Sequence, residues 1–365
     1  MQNDRIRALR RLLAEHEAQL AVVPGNDFRY LMGWSPLPDE RLAVLWLTRE
    51  HSVLLINGVN AEEAKAKLGP EVEVLRFDDA DDPGLAVQRA IQHLGPSAKA
   101  VHLSDDARFD HSQILRDALS ANTVWGLASR YLAPMRMAKD PEEIEALARS
   151  QAINDAVMRR AFAALRPGIR EIELADMIKR AFVEEGADRD AFVIVAYGAH
   201  AAHPHHAPDR TPLTEGPVLL DIGCFKDGYA SDMTRMAYVG EPSSRYLDIH
   251  ALVEAASRRG IAAVHPGAQV GEVDKASRRV IEAAGLGAHF VHRTGHGIGL
   301  EVHERPSVTA ENMEPMRVGM AFSIEPGIYL PNQFGVRLEE VVIVEEDGAR
   351  VLSEISREVY VALPS

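Results

Sequence analysis

An internal echo constrains this chain more than any other feature. Arg159-Arg160 and the run Ala163-Ala164-Leu165-Arg166-Pro167-Gly168 are matched by Arg258-Arg259 and Ala262-Ala263-Val264-His265-Pro266-Gly267. The offset is 99 residues, and it holds on through Glu173-Leu174 against Glu272-Val273 and Gly186 against Gly285. A constant offset over about 28 residues favours two related halves. Each copy reads as a helix, a Pro-Gly break, a second helix and then a strand region. Two such halves facing each other leave a central cleft, a natural place for a site.

The echo begins after a strong helix start. Asp140-Pro141-Glu142-Glu143 supplies an N-cap carboxylate, a proline at the first helical position and a glutamate at the capping-box position. Ile144, Leu147, Val157, Ala161 and Leu165 then mark an apolar stripe that Pro167-Gly168 stops. This puts a domain boundary near Pro134 to Asp140, with one domain over 1–134 and a second over 135–365, and a length of 365 residues is comfortable for two. In the first domain, Ile6, Leu9, Leu12 and Leu13 recur at helical spacing. Strands are expected at Leu42–Leu47, Val53–Ile56, Val72–Leu75 and Ala100–Leu103, with helical patterns between several of them, as in an α/β layer structure. The acidic run Asp78-Asp79-Ala80-Asp81-Asp82 before Pro83 is expected to be a solvated loop and helix start rather than a cation site.

Charge and cysteine content narrow the class. A net charge of -14 argues against a nucleic-acid partner, because phosphate binding needs a basic surface. No stretch approaches the roughly 20 uninterrupted apolar residues of a membrane span, and the opening residues form no apolar signal run. The single cysteine, Cys224, allows no intrachain disulfide, which suits a reducing compartment, so a cytoplasmic location is expected.

The chemistry gathers in five segments after the boundary. Val218-Leu219-Leu220-Asp221 is an apolar strand ending in a carboxylate, and Asp232 follows eleven positions later, after a turn at Lys226-Asp227-Gly228 that would return it beside Asp221. The second half repeats the device with Glu325 and Glu339 on either side of the turn Pro331-Asn332-Gln333-Phe334-Gly335. His296 sits among glycines in Thr294-Gly295-His296-Gly297, where backbone can approach closely. Any one of these acids alone would more often be a cap or turn residue, and a lone histidine more often a packed one. Together, four carboxylates offset two divalent cations, and one imidazole adds a neutral donor. Oxygen ligands with one nitrogen suit Mn²⁺, Co²⁺, Fe²⁺ or Zn²⁺. Two close metals can activate one water and stabilise the oxyanion formed when it attacks a carbonyl.

The motifs LLDIG, GYASDMTR, HRTGHGIGLEVHE, IEPGIY and GVRLEE, in this order, resemble the signature of the M24 or pita-bread metallopeptidases, the superfamily of methionine aminopeptidase, Xaa-Pro aminopeptidase, prolidase and creatinase. The resemblance covers essentially residues 135–365. It implies an α+β pita-bread catalytic domain with a pseudo-twofold repeat. It also implies that Asp221 holds one metal, Asp232 and Glu339 bridge, and His296 and Glu325 hold the other, with Mn²⁺ the expected ion. Glu325 would also take the proton of the attacking water. His292 and His303 match flanking histidines that steady the substrate; His205 matches a histidine near the leaving group, with His206 as the alternative. Tyr329 and Arg337 match positions that shape the site and orient ligands. Asp27-Phe28-Arg29-Tyr30-Leu31-Met32-Gly33-Trp34 resembles the α/β N-terminal domain of the creatinase–prolidase branch, which implies a homodimer. The expected activity is cleavage of the Xaa-Pro bond of dipeptides, a small peptide with proline second. The alternatives are an Xaa-Pro aminopeptidase acting on longer peptides and a metal-free pita-bread module that binds proteins. A dipeptidase needs a group for the substrate carboxylate, for which Arg41 and Arg337 are the basic candidates. Glu340 departs from the family pattern, standing where aspartate usually follows the bridging glutamate.

Overall fold

In the computed structural model, which describes residues 2–94 and 99–362, the chain divides into two compact units, Met1–Arg136 and Met137–Ser365. The first holds a six-stranded mixed sheet of β1 (Ala18–Val22), β2 (Val44–Leu47), β3 (Ser52–Asn57), β4 (Glu73–Phe77), β5 (Ala100–Leu103) and β6 (Val124–Leu127) in the order β4-β3-β2-β1-β5-β6. The expected strands are present within one or two residues. Leu42 and Ala43 are buried ahead of β2 without joining the ladder. The acidic run is a loop and a cap. Asp82 accepts from the Leu85 N–H at 2.9 Å and Pro83 opens the helix Pro83–His93, while Asp79 pairs with Arg41 at 3.0 Å.

The second unit carries the echo into three dimensions. The helices Pro141–Ala163 and Glu171–Glu184 of the first half correspond to Ser244–Ala262 and Val270–Ala283 of the second. All four echoed glycines have left-handed backbone: Gly168 (φ 86°), Gly186 (89°), Gly267 (84°) and Gly285 (74°). A side chain there is strained, which explains why glycine recurs at those positions. Each half also ties its second helix to a later loop by an isolated antiparallel bridge, Arg170 to Pro212 and Gln269 to Pro315. The first helix opens on the expected capping box, with Asp140 accepting from the Glu143 N–H and Glu143 from the Asp140 N–H, both at 3.0 Å.

The first half's sheet comprises β7 (Arg189–Tyr197), β8 (Gly216–Lys226), β9 (Tyr229–Ala230) and β10 (Met233–Val239), joined by β18 (Tyr360–Ala362) in the order β18-β10-β8-β7, with β9 on β8. The second sheet runs β12-β11-β13-β16-β17, from β11 (Gly295–Gly297), β12 (Glu304–Val308), β13 (Ala321–Ile324), β16 (Glu340–Glu345) and β17 (Gly348–Val351). A separate hairpin pairs β14 (Gly327–Leu330) with β15 (Phe334–Arg337). The helices cover one face of each sheet: Val157, Leu174, Ile178 and Phe182 pack on Leu220 and Ile222, and Val270 and Val273 on Phe322 and Ile324. Because strand side chains alternate, residues between these apolar anchors, such as Asp221 and Ser323, turn to the opposite face, where the polar chemistry collects.

Candidate metal centre and active site

Asp221 sits mid-strand on β8, opposite Ile194 of β7 and Thr234 of β10. The turn after β8 has left-handed backbone at Asp227 (φ 53°) and Gly228 (φ 82°), as a tight two-residue hairpin requires, and brings the chain back so that Met233 pairs with Ile222. Asp232 stands at the break between β9 and β10. Gly223 makes the close pass possible, since a Cβ there would run into the Ser231 carbonyl and the Phe192 ring.

His296 is the middle residue of β11, a three-residue strand flanked by glycines for a steric reason. A Cβ on Gly295 would meet the Ser323 carbonyl oxygen, and one on Gly297 the Arg305 carbonyl oxygen. Glu325 follows β13, its N–H donating to Thr294 O at 2.7 Å, and Glu339 precedes β16, its N–H donating to Thr234 O at 3.2 Å. The β14–β15 hairpin, with Asn332 at φ 60°, lies between them, so each half delivers two carboxylates from either side of a hairpin turn, although Asp221 sits inside its strand rather than at the strand end the sequence suggested.

All five residues line one cavity of about 480 Å³ together with His205, His292, His303 and Arg337, within the roughly 300–1,000 Å³ usual for small-molecule sites. Ligand atoms of Asp232, His296 and Glu339 lie within 4.8 Å of one another. His296 Nδ1 faces Gly297 O at 3.1 Å and therefore carries the proton, which leaves the Nε2 lone pair pointing at Glu325 Oε1 (3.3 Å) and Asp232 Oδ2 (3.6 Å). Burial, with His303 adding to it, pushes His296 down to about 3, so it is neutral at pH 7. A neutral lone pair facing two carboxylates is a repulsive arrangement that a cation between them resolves. The carboxylates point the same way. Burial, then Glu339 and the other acids, pushes Asp232 well above its ordinary range; burial, then Glu325 and Asp221, does the same to Glu339; and burial with Asp221 raises Glu325 to about 7. Asp221 Oδ1 is buried without a hydrogen-bond partner. These donors fit divalent metal ions.

A second layer holds the acids in place. Arg337 donates from Nη2 to Asp221 Oδ2 (2.6 Å), from Nε to Thr234 Oγ1 (3.0 Å), and from Nη1 to Tyr329 Oη (2.9 Å) and Pro204 O (3.3 Å). Thr234 Oγ1 in turn donates a hydrogen bond to Glu339 Oε2 at 2.8 Å. His292 Nδ1 faces Arg293 O at 2.7 Å, so its Nε2 accepts from Tyr329 Oη at 2.7 Å, giving a directed chain from Arg337 through Tyr329 to His292. Burial pushes His292 down to about 4, and it lowers His303, whose ring stands edge-on to His296 at 4.2 Å. With its donors committed in this way, Arg337 acts on Asp221 and Tyr329, and Arg41 is engaged by Asp79 and Glu40. Glu340, the family departure, turns away from the cavity to pair with Arg235 and Arg357, both at 2.8 Å.

His205 and His206 go to different places. His205 lines the cavity, whereas His206 bonds the buried carboxylate of Glu171 at 2.7 Å. Cys224 is buried against Ser231 and Ser150, and burial raises its thiol, as in a packed cysteine. The sequence reading singled out neither Thr234 nor the apolar wall of Phe192, Ile194, Pro204 and Val302. The spacing of Phe192 and Ile194 on one face of β7 was the available signal.

This geometry defines a carboxylate-rich candidate metal centre between two related halves, and comparison with known proteins names the class. Residues 145–346 match metallopeptidase family M24, and residues 5–138 match the creatinase/prolidase N-terminal domain. The chain belongs to family M24 and is a metallopeptidase, with a creatinase-type N-terminal domain and a pita-bread catalytic domain. It is 40% identical over 351 residues to the probable dipeptidase PepE of Mycobacterium tuberculosis, covering 94% of this chain and 92% of that one. It is 32% identical over 337 residues to an Xaa-Pro dipeptidase of Lactobacillus helveticus, covering 91% of each. The crystal structure of dipeptidase PepE from Mycobacterium ulcerans superposes with a TM-score of 0.93 at 38% identity, covering 99% of this chain and 98% of that one.

Proposed function

We propose that this chain is an Xaa-Pro dipeptidase that works in the cytoplasm as a homodimer, with residues 1–134 as its N-terminal domain and 135–365 as its catalytic domain. Two divalent ions per subunit, Mn²⁺ first among Mn²⁺, Co²⁺, Zn²⁺ and Fe²⁺, would be held by Asp221 on one side, His296 and Glu325 on the other, and Asp232 and Glu339 between. The observation that carries this reading is the convergence of five such side chains from five separate segments on one cavity, with the His296 lone pair turned toward two carboxylates. Bound there, the ions supply Lewis acidity, which acidifies a water and polarises the scissile carbonyl.

The chain's own groups do the rest. Glu325 accepts the proton as the water oxygen bonds to the carbonyl carbon. His303, neutral at pH 7, donates to the oxyanion, and His292, both of whose ring nitrogens are engaged by Arg293 O and Tyr329 Oη, steadies the substrate through its ring. Glu325 returns that proton to the proline nitrogen as the C–N bond breaks, with His205 beside the leaving group, and Arg337 and Tyr329 hold Asp221 and His292 in orientation. The apolar wall of Phe192, Ile194, Pro204 and Val302 suits a proline ring and the side chain before it. Among the described residues, no helix is long and apolar enough to cross a membrane.

The test is proline release from an Xaa-Pro dipeptide by the Mn²⁺-loaded protein, beside release of the first residue from a longer Xaa-Pro peptide. Preference for the dipeptide is expected. Preference for the longer peptide would make the chain an aminopeptidase, and turnover of neither would refute the substrate class.

A further inference from the structure

His205, the proposed leaving-group residue, sits on a turn rather than on a strand or helix. The segment that carries it, from Tyr197 to Asp209, includes one turn of 3₁₀ helix (Gly198–Ala202) and a loop without a strand. Four hydrogen bonds from this segment end on a single carboxylate, that of Glu171. Oε1 accepts from the Tyr197 N–H (2.8 Å) and His200 Nδ1 (2.9 Å), and Oε2 from His206 Nε2 (2.7 Å) and the Asp209 N–H (3.1 Å). Glu171 is fully buried and is the first residue of the helix Glu171–Glu184, so its position is set by the scaffold rather than by the loop. The His200 and His206 rings pack 4.2 Å apart over it. Between these two histidines, the same loop sends the Pro204 carbonyl to Arg337 and the His205 side chain into the cavity.

We propose that Glu171 is a positioning residue, a clamp that fixes the 197–209 segment at both ends and thereby aims His205 at the leaving group. Glu171, His200, His206 and Asp209 are also residue types that bind cations. Two backbone N–H groups already share the carboxylate oxygens with the imidazoles, however, so the arrangement is a filled hydrogen-bond node. A buried carboxylate with four donors rigidifies the backbone that makes them, and small displacements of a catalytic side chain cost rate far more than they cost folding. The clamp rests on the proposed role of His205.

The experiment is a double-mutant cycle on the Mn²⁺-loaded enzyme, with kcat and KM measured on an Xaa-Pro dipeptide for Glu171→Ala, His205→Ala and the pair. Mn²⁺ affinity and the circular dichroism spectrum serve as structural controls. Glu171→Gln, which keeps the volume but turns a donor toward the Tyr197 or Asp209 N–H, stands in if the alanine variant does not fold. Loss of Glu171 should lower kcat/KM by about tenfold or more in the parent and by less than about twofold once His205 is gone. An equal loss in both backgrounds, or no loss in the parent, would overturn the clamp. A His205→Ala enzyme as active as the parent would overturn the role of His205 itself, and that result appears before Glu171 is touched.

Discussion

Replacing Glu325 by Gln in protein stripped of metal by a chelator tests whether negative charge at that position is costly without a cation. In the metal-free fold, burial together with Asp221 raises this carboxyl from an ordinary 4.5 to about 7. A group whose folded pKa lies above its unfolded one contributes stability that is fully present below pH 4.5 and is lost as pH rises through about 7. Over the whole range the shift corresponds to roughly 3 kcal/mol, of which about 2 kcal/mol falls between pH 5.5 and 7.5. The lowered histidines, His292 and His296 among them, work in the opposite direction, because they must be neutral in the fold. These histidines titrate in both proteins, whereas Glu339, raised in part by Glu325, adds to the difference in the same direction as Glu325 itself. Urea unfolding of metal-free parent and Glu325→Gln at the two pH values measures that difference directly. The parent should lose about 2 kcal/mol relative to the variant as pH rises, and with Mn²⁺ present the parent should regain the advantage. Parallel stability–pH curves for the two metal-free proteins would refute the claim that charge at Glu325 is costly without a cation.

The remaining expectations concern the loaded enzyme and its scaffold. Glu325→Gln should lower turnover by about 10²–10⁴-fold while preserving the circular dichroism spectrum, and retained activity would exclude Glu325 as the proton acceptor. Gly297→Ala should cost at least about 2 kcal/mol in unfolding, with weakened Mn²⁺ binding, because a Cβ there meets the Arg305 carbonyl oxygen on the neighbouring strand. Tyr329→Phe removes the group that accepts from Arg337 and donates to His292, and should lower kcat/KM by about tenfold for about 1 kcal/mol of stability.

The parts of this structure that sequence foretold are those where a local rule and the global fold agree. The 99-residue echo became paired helices with left-handed glycines at equivalent breaks, because only glycine sits there without strain. Asp140-Pro141 capped a helix as expected, and both turns that return a carboxylate carry left-handed residues, Asp227 and Asn332. What stayed hidden depends on long-range packing. β11 is three residues of glycine and histidine with no strand pattern; it is a strand because its backbone pairs with β12 and β13, whose Arg305 and Ser323 carbonyls leave room only for glycine beside His296. Glu171 reads as an ordinary acid in a helix's first turn. Its four partners lie 26 to 38 residues away along the chain and declare themselves only in space. The alternation of Phe192 and Ile194 marks one face of β7 but not whether that face lines a cavity or a core.

The measurement closest to the central claim is a calorimetric titration of chelator-stripped protein with Mn²⁺, with dipeptide hydrolysis followed in parallel. Two equivalents per chain should bind, with activity that rises with occupancy. Asp232→Ala, which removes a proposed bridging carboxylate, should abolish the paired binding. Binding of no metal, or full activity in the presence of excess chelator, would contradict a two-metal centre.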